Sequence, residues 1–84
     1  MSYSVKVKDR AAKALRKIPR QDRIRLIEAI DRLASDPYAG SALKGELAGL
    51  RRVRVGQYRI VYDVIAEELI ILVVRIAHRS AVYR

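Results

Sequence analysis

Cysteine is missing from all 84 residues, which excludes a disulfide framework and every thiolate metal site and fits a reducing compartment. Histidine is almost missing as well: His78 stands alone, so a multi-histidine metal centre is excluded. No long apolar run exists. The longest, Leu69 to Val74, is far below the ~20 residues that a membrane helix requires, and the N-terminal stretch has no signal-peptide core. The expectation is a soluble, cytoplasmic protein with no membrane partner. Repeats, linkers and low-complexity tracts are also lacking, and the length suits a single domain over residues 1–84 with one modest core.

What the chain has in excess is positive charge. Eighteen Lys and Arg stand against nine Asp and Glu, a formal charge of +9 with a pI near 10.5. The excess is spread evenly, with ten basic and five acidic residues in 1–42 and eight and four in 43–84. Such a field steers polyanions whatever the fold, which makes nucleic acid, an acidic membrane surface and an acidic protein the candidate partners.

Periodicity orders the elements. Tyr3-Ser4-Val5-Lys6-Val7 alternates with period two and predicts a strand with Tyr3, Val5 and Val7 inward. Asp9 is placed to cap a helix bearing Ala11, Ala14, Leu15 and Ile18, and Pro19 suits the first turn of a second helix. That helix runs from about Arg20 to Ser35 on the stripe Leu26, Ile27, Ile30, Leu33 and Ala34. Residues 36–49 start with Asp36-Pro37, hold Gly40, Gly45 and Gly49, and read as loop. Leu50 to Val55 and Tyr58 to Ile65 flank Gly56-Gln57, the glycine-first pair of a type II′ turn, and Ala66-Glu67-Glu68 leads into a third strand, Leu69 to Ile76. The fold class is therefore α+β, in the order β-α-α-β-β-β, with a helical hairpin on one face of a small, mainly antiparallel sheet.

Alternation then sorts the charges. Val53 and Val55 share the face that the helices should cover, so Arg52 and Arg54 share the other. Tyr58, Ile60, Tyr62 and Val64 form the apolar face of the next strand, which puts Arg59 with those two arginines; the tyrosines read as core aromatics with hydroxyls at the rim. The last strand is apolar on both sides, Leu69, Ile71 and Val73 against Ile70, Leu72, Val74 and Ile76. One helical hairpin covers only one side, so a partner is expected on the other. Arg75, His78, Arg79 and Tyr83 lie at the end of this strand or just beyond it.

Guanidiniums grouped in this way suit phosphate, although a plain solvated sheet face has the same composition. RNA can be cut without a metal when its own 2′-OH is the nucleophile. The protein then supplies a base, cations on the phosphate and an acid for the 5′-oxygen. Arg59 and Arg79 suit the cation role, while His78 and Tyr83 can each exchange a proton, the phenol helped by positive neighbours.

Leu43-Lys44-Gly45, the hairpin Leu50-Arg51-Arg52-Val53-Arg54-Val55-Gly56-Gln57-Tyr58-Arg59-Ile60-Val61-Tyr62, and Ile76-Ala77-His78-Arg79-Ser80-Ala81-Val82-Tyr83 together resemble the RelE branch of the RelE/ParE toxin superfamily, over essentially the whole chain. The resemblance implies a RelE-like fold and the toxin of a type II toxin–antitoxin module: a ribosome-dependent, metal-independent endoribonuclease that cuts mRNA in the A site by 2′-OH attack and stops translation. It implies Arg59, Arg79, Tyr83 and His78 as catalytic residues and Arg52, Arg54, Lys44 and Arg51 as RNA and phosphate contacts. No cofactor is implied. The implied partners are a cognate antitoxin, in a toxin–antitoxin hetero-oligomer, and the ribosome with its mRNA. The best-known members carry lysines at the positions of Arg52 and Arg54, which keeps the charge but makes these two poor proton shuttles here. Tyr83 and His78 both stay open as the general base. The alternatives are a ParE-like gyrase inhibitor without enzymatic activity and a basic nucleic-acid-binding module.

Overall fold

The computed structural model describes residues 2–80. Strand β1 (Ser4–Val7) leads into helices α1 (Asp9–Arg16) and α2 (Arg20–Leu33), and four more strands complete one five-stranded sheet: β2 (Ser41–Ala42), β3 (Arg51–Val55), β4 (Tyr58–Ile65) and β5 (Ile70–His78). The spatial order is β1-β5-β4-β3-β2, with β1 parallel to β5 and the other pairs antiparallel. The helices carry the chain from β1 at one edge of the sheet to β2 at the other, and β3 and β4 lead it back to β5, which pairs in parallel with β1. Their apolar sides and one sheet face enclose a core in which Tyr62, Leu26, Leu33, Ile60, Ile71 and Val73 are fully buried. Burying each such large aliphatic side chain contributes about 1.5–3 kcal/mol.

Several local expectations shift. Lys8, not Asp9, is the N-cap of α1. Asp9 is the first helical residue and makes no capping bond, so its charge acts on the helix dipole instead. Pro19 is the N-cap of α2, one position earlier than its first turn. Tyr3 and Val5 pack on the core, but Val7 is 37% exposed at the sheet edge. In α2 the buried set is Leu26, Ala29, Ile30 and Leu33, whereas Ile27 is 43% exposed beside Ile24 at 45%. The helix is turned so that the 26-29-30-33 arc faces the sheet, an arc with the same spacing as the expected one.

Residues 36–49 are not all loop. Ser41 and Ala42 pair with Arg52 and Arg51 as an edge strand too short to show a period, and Gly45–Leu47 makes a 3-10 turn. The hairpin forms where expected, Val55 opposite Tyr58, with Gly56 at φ 58 as a primed two-residue turn demands of its first residue. Leu69 belongs to the tight turn before β5, in left-handed conformation, and β5 extends to His78.

A bulge in β5 decides the faces. Val61 is opposite Arg75 but Tyr62 is opposite Val73, so Val74 has no partner and the alternation changes phase. Unbroken alternation would send Ile76 outward with Ile70, Leu72 and Val74; instead Ile76 joins Ile71 and Val73 in the core, and Arg75 comes out opposite Val61.

Candidate nucleic-acid interface

The sheet face away from the helices carries the arginines. Val53 and Val55 pack against the core, so Arg52 and Arg54 stand on the open side, and the register sets Arg54 directly opposite Arg59 and Arg52 opposite Val61. Like charges directly opposite one another destabilise a sheet, an arrangement that a bound anion relieves. Among the described residues, Ser41, Arg52, Arg54 and Arg59 line a cleft of about 240 Å³, and none of them is acidic. Arg75, brought out by the bulge, stands across Val61 from Arg52. Arg79 is exposed just beyond β5, where its amide donates to the Gln57 carbonyl at 2.6 Å and fixes it beside the hairpin turn.

Behind the cleft a clamp fixes the edge strand. The hydroxyl of the fully buried Tyr62 accepts the Gly40 N–H at 3.0 Å and donates to the Pro37 carbonyl at 2.9 Å. Arg51 alternates onto the same side of β3 as Val53. Its Nη2 donates to the carbonyls of Tyr38, at 3.2 Å, and Gly40, while its guanidinium carbon lies 5.3 Å from the Tyr38 ring centroid. Leu43 N–H to the Leu50 carbonyl, 2.9 Å, closes the other end of β2.

The remaining expected residues disperse. Arg51, an expected phosphate contact, is instead engaged by the loop on the helix side. Lys44 is exposed at the start of the 3-10 turn and does not line the cleft. His78 is opposite Tyr58 and meets its ring edge-on at 5.3 Å, so it sits at the rim of the helix-side face, across the sheet from the arginines. The Ser80 amide donates to His78 Nδ1 at 3.2 Å and the Ser80 hydroxyl lies 2.8 Å away. An amide can only donate, so Nδ1 is the acceptor and the neutral ring's proton is assigned to Nε2. Tyr83 lies outside the described residues. Ser41 is the site residue that periodicity misses, since only its pairing with Arg52 puts it there. Among the described residues no cluster of three His, Cys, Asp or Glu side chains could hold a metal, and no helix is long and apolar enough to cross a membrane.

Comparison with known proteins bears on this arrangement. A family model described as the ParE toxin of type II toxin–antitoxin systems, parDE, matches residues 5–83. Toxin RelG of Mycobacterium tuberculosis is 33% identical over 86 aligned positions, spanning 100% of this chain and 99% of that protein. Toxin RelE of the same organism is 32% identical, spanning 98% and 87%. Among solved structures, the crystal structure of the toxin–antitoxin complex RelBE2 from Mycobacterium tuberculosis matches with a TM-score of 0.87 at 31% identity, over 94% of this chain and 100% of that one.

Proposed function

Because the chain belongs to the RelE/ParE superfamily of type II toxin–antitoxin toxins, as a RelE-type member, we propose that its arginine cleft holds messenger RNA on the ribosome and that the protein cuts the message there, stopping translation. The observation that carries this reading is the meeting of Arg52, Arg54 and Arg59 in one cleft on the helix-free face. In the reaction the 2′-oxygen of the RNA bonds to the adjacent phosphorus, the bond to the 5′-oxygen breaks, and one proton leaves the 2′-OH as another reaches the leaving oxygen. Arg54 and Arg59 meet the charge that develops on the phosphorane, and Arg79, beside the hairpin turn, adds a third cation. Tyr83 takes the 2′-proton as general base. His78 reaches the phosphate only from the end of the sheet, where it orients the phosphate or protonates the leaving oxygen.

An antitoxin partner is part of the same proposal. The RelBE2 relative is a toxin–antitoxin complex, and a chain of charge +9 with Ile24 and Ile27 exposed on α2 suits an acidic amphipathic segment. Primer extension on an mRNA translated with and without the protein tests the activity. New 5′ ends inside the reading frame, only when ribosomes are translating, are the expected result. An intact message with inhibited DNA supercoiling would replace this reading with the gyrase-binding one.

A further inference from the structure

The edge strand β2 is held more firmly than its own packing explains. Ser41 and Ala42 are both exposed, so the strand adds nothing to the core, and ordering it costs chain entropy. Yet Gly40, immediately before it, is bound on both its polar atoms: its N–H donates to the buried Tyr62 hydroxyl and its carbonyl accepts from Arg51. Gly40 also lies so close to β3 that a Cβ there would be 2.5 Å from the Arg52 carbonyl oxygen. The position that this clamp sets is that of Ser41, opposite Arg52 and on the wall of the cleft. Of the described residues lining the cleft, Ser41 alone has a side chain that can both donate and accept a hydrogen bond.

We propose that Ser41 is a substrate-positioning residue whose hydroxyl donates to a phosphate oxygen of an RNA strand lying in the cleft, with Tyr62, Gly40 and Arg51 setting its place. The inference rests on the reading of the cleft as an RNA site. Three guanidiniums attract phosphate from any direction, whereas a hydroxyl fixed on one wall selects which oxygen faces Arg52 and thereby the register of the strand.

The test is anisotropy of a short fluorescent RNA carrying 2′-O-methyl groups, which cannot be cut, titrated with the full chain over a range of salt. Ser41→Ala weakens binding about tenfold to a hundredfold, the worth of one hydrogen bond to a charged acceptor, and leaves the salt dependence unchanged because no protein charge is lost. Ser41→Thr, which keeps the hydroxyl, binds as the parent does. Arg52→Ala, the contrast, lowers the salt slope by about 1. Equal affinity for Ser41→Ala and the parent overturns the proposal. So does a salt slope that falls in Ser41→Ala, since the residue would then only be holding Arg52 in place. A parent protein that binds this RNA but never cuts translated mRNA removes the nuclease reading and leaves the role of Ser41 standing; one that does not bind the free RNA overturns the proposal for Ser41 and leaves the ribosome-dependent nuclease reading to the primer-extension assay.

Discussion

Replacing Gly40 with alanine probes the packing that sets the edge of the site. The new Cβ would stand 2.5 Å from the Arg52 carbonyl oxygen, 2.7 Å from the Tyr62 hydroxyl and 2.9 Å from the Arg52 carbonyl carbon. The Arg52 atoms belong to β3, which is held between β2 and β4 and has little room to move. Overpacking of this kind costs about 1–3 kcal/mol. If the loop moves away instead, the Gly40 N–H and the Tyr62 hydroxyl lose each other, at a similar cost of about 1–3 kcal/mol for buried groups left unpaired. A loss of roughly 1–3 kcal/mol from a domain of this size lowers Tm by about 5–25 °C. Thermal unfolding followed by circular dichroism, with a urea titration at fixed temperature, gives both quantities. Tyr62→Phe should cost about 1–3 kcal/mol alone. In that background Gly40→Ala should cost less than in the parent, because the clash with the hydroxyl is gone, and the shortfall is the coupling between the two sites. Gly40→Ala melting within about 2 °C of the parent would refute the clamp.

Arg59→Ala and Arg79→Ala should each lower single-turnover mRNA cleavage by about two to three orders of magnitude with thermal unfolding unchanged; full activity in either variant removes that residue from the site. Tyr83→Phe should abolish most cleavage while RNA binding persists, and His78→Gln should lower the rate less; the opposite order would make the imidazole the base. Burial, then the Tyr38 hydroxyl and the Glu67 carboxylate, push the Tyr3 phenol above its ordinary range, so the folded chain keeps that proton to higher pH than the unfolded one. Its contribution to stability is intact below the unfolded value of about 10 and is lost as pH rises through the folded value. Tyr3→Phe should therefore flatten the alkaline fall in urea-unfolding stability, and an identical slope in both proteins would count against this account.

The arginine face was legible in the sequence because alternation is a property of neighbours. Val53 and Val55 on one side require Arg52 and Arg54 on the other, and the Gly56-Gln57 turn then puts Arg59 opposite Arg54. The helices were legible for the same reason, though not the rotation of α2, since Leu26, Ile27, Ile30 and Ile24 form an apolar arc wider than the sheet can cover. Contacts between distant segments decided the rest. The bulge at Val74 depends on how β5 meets β4, and it alone sends Arg75 out, takes Ile76 in and leaves His78 on the helix side. β2 exists because Tyr62 and Arg51, far along the chain, bind the backbone around Gly40, and that clamp brings Ser41 to the cleft, while Arg51 faces away from it by alternation with Arg52. Local period could state which side chains share a strand face, but strand register and edge pairing are set by hydrogen bonds and close contacts that form only when the whole chain has packed.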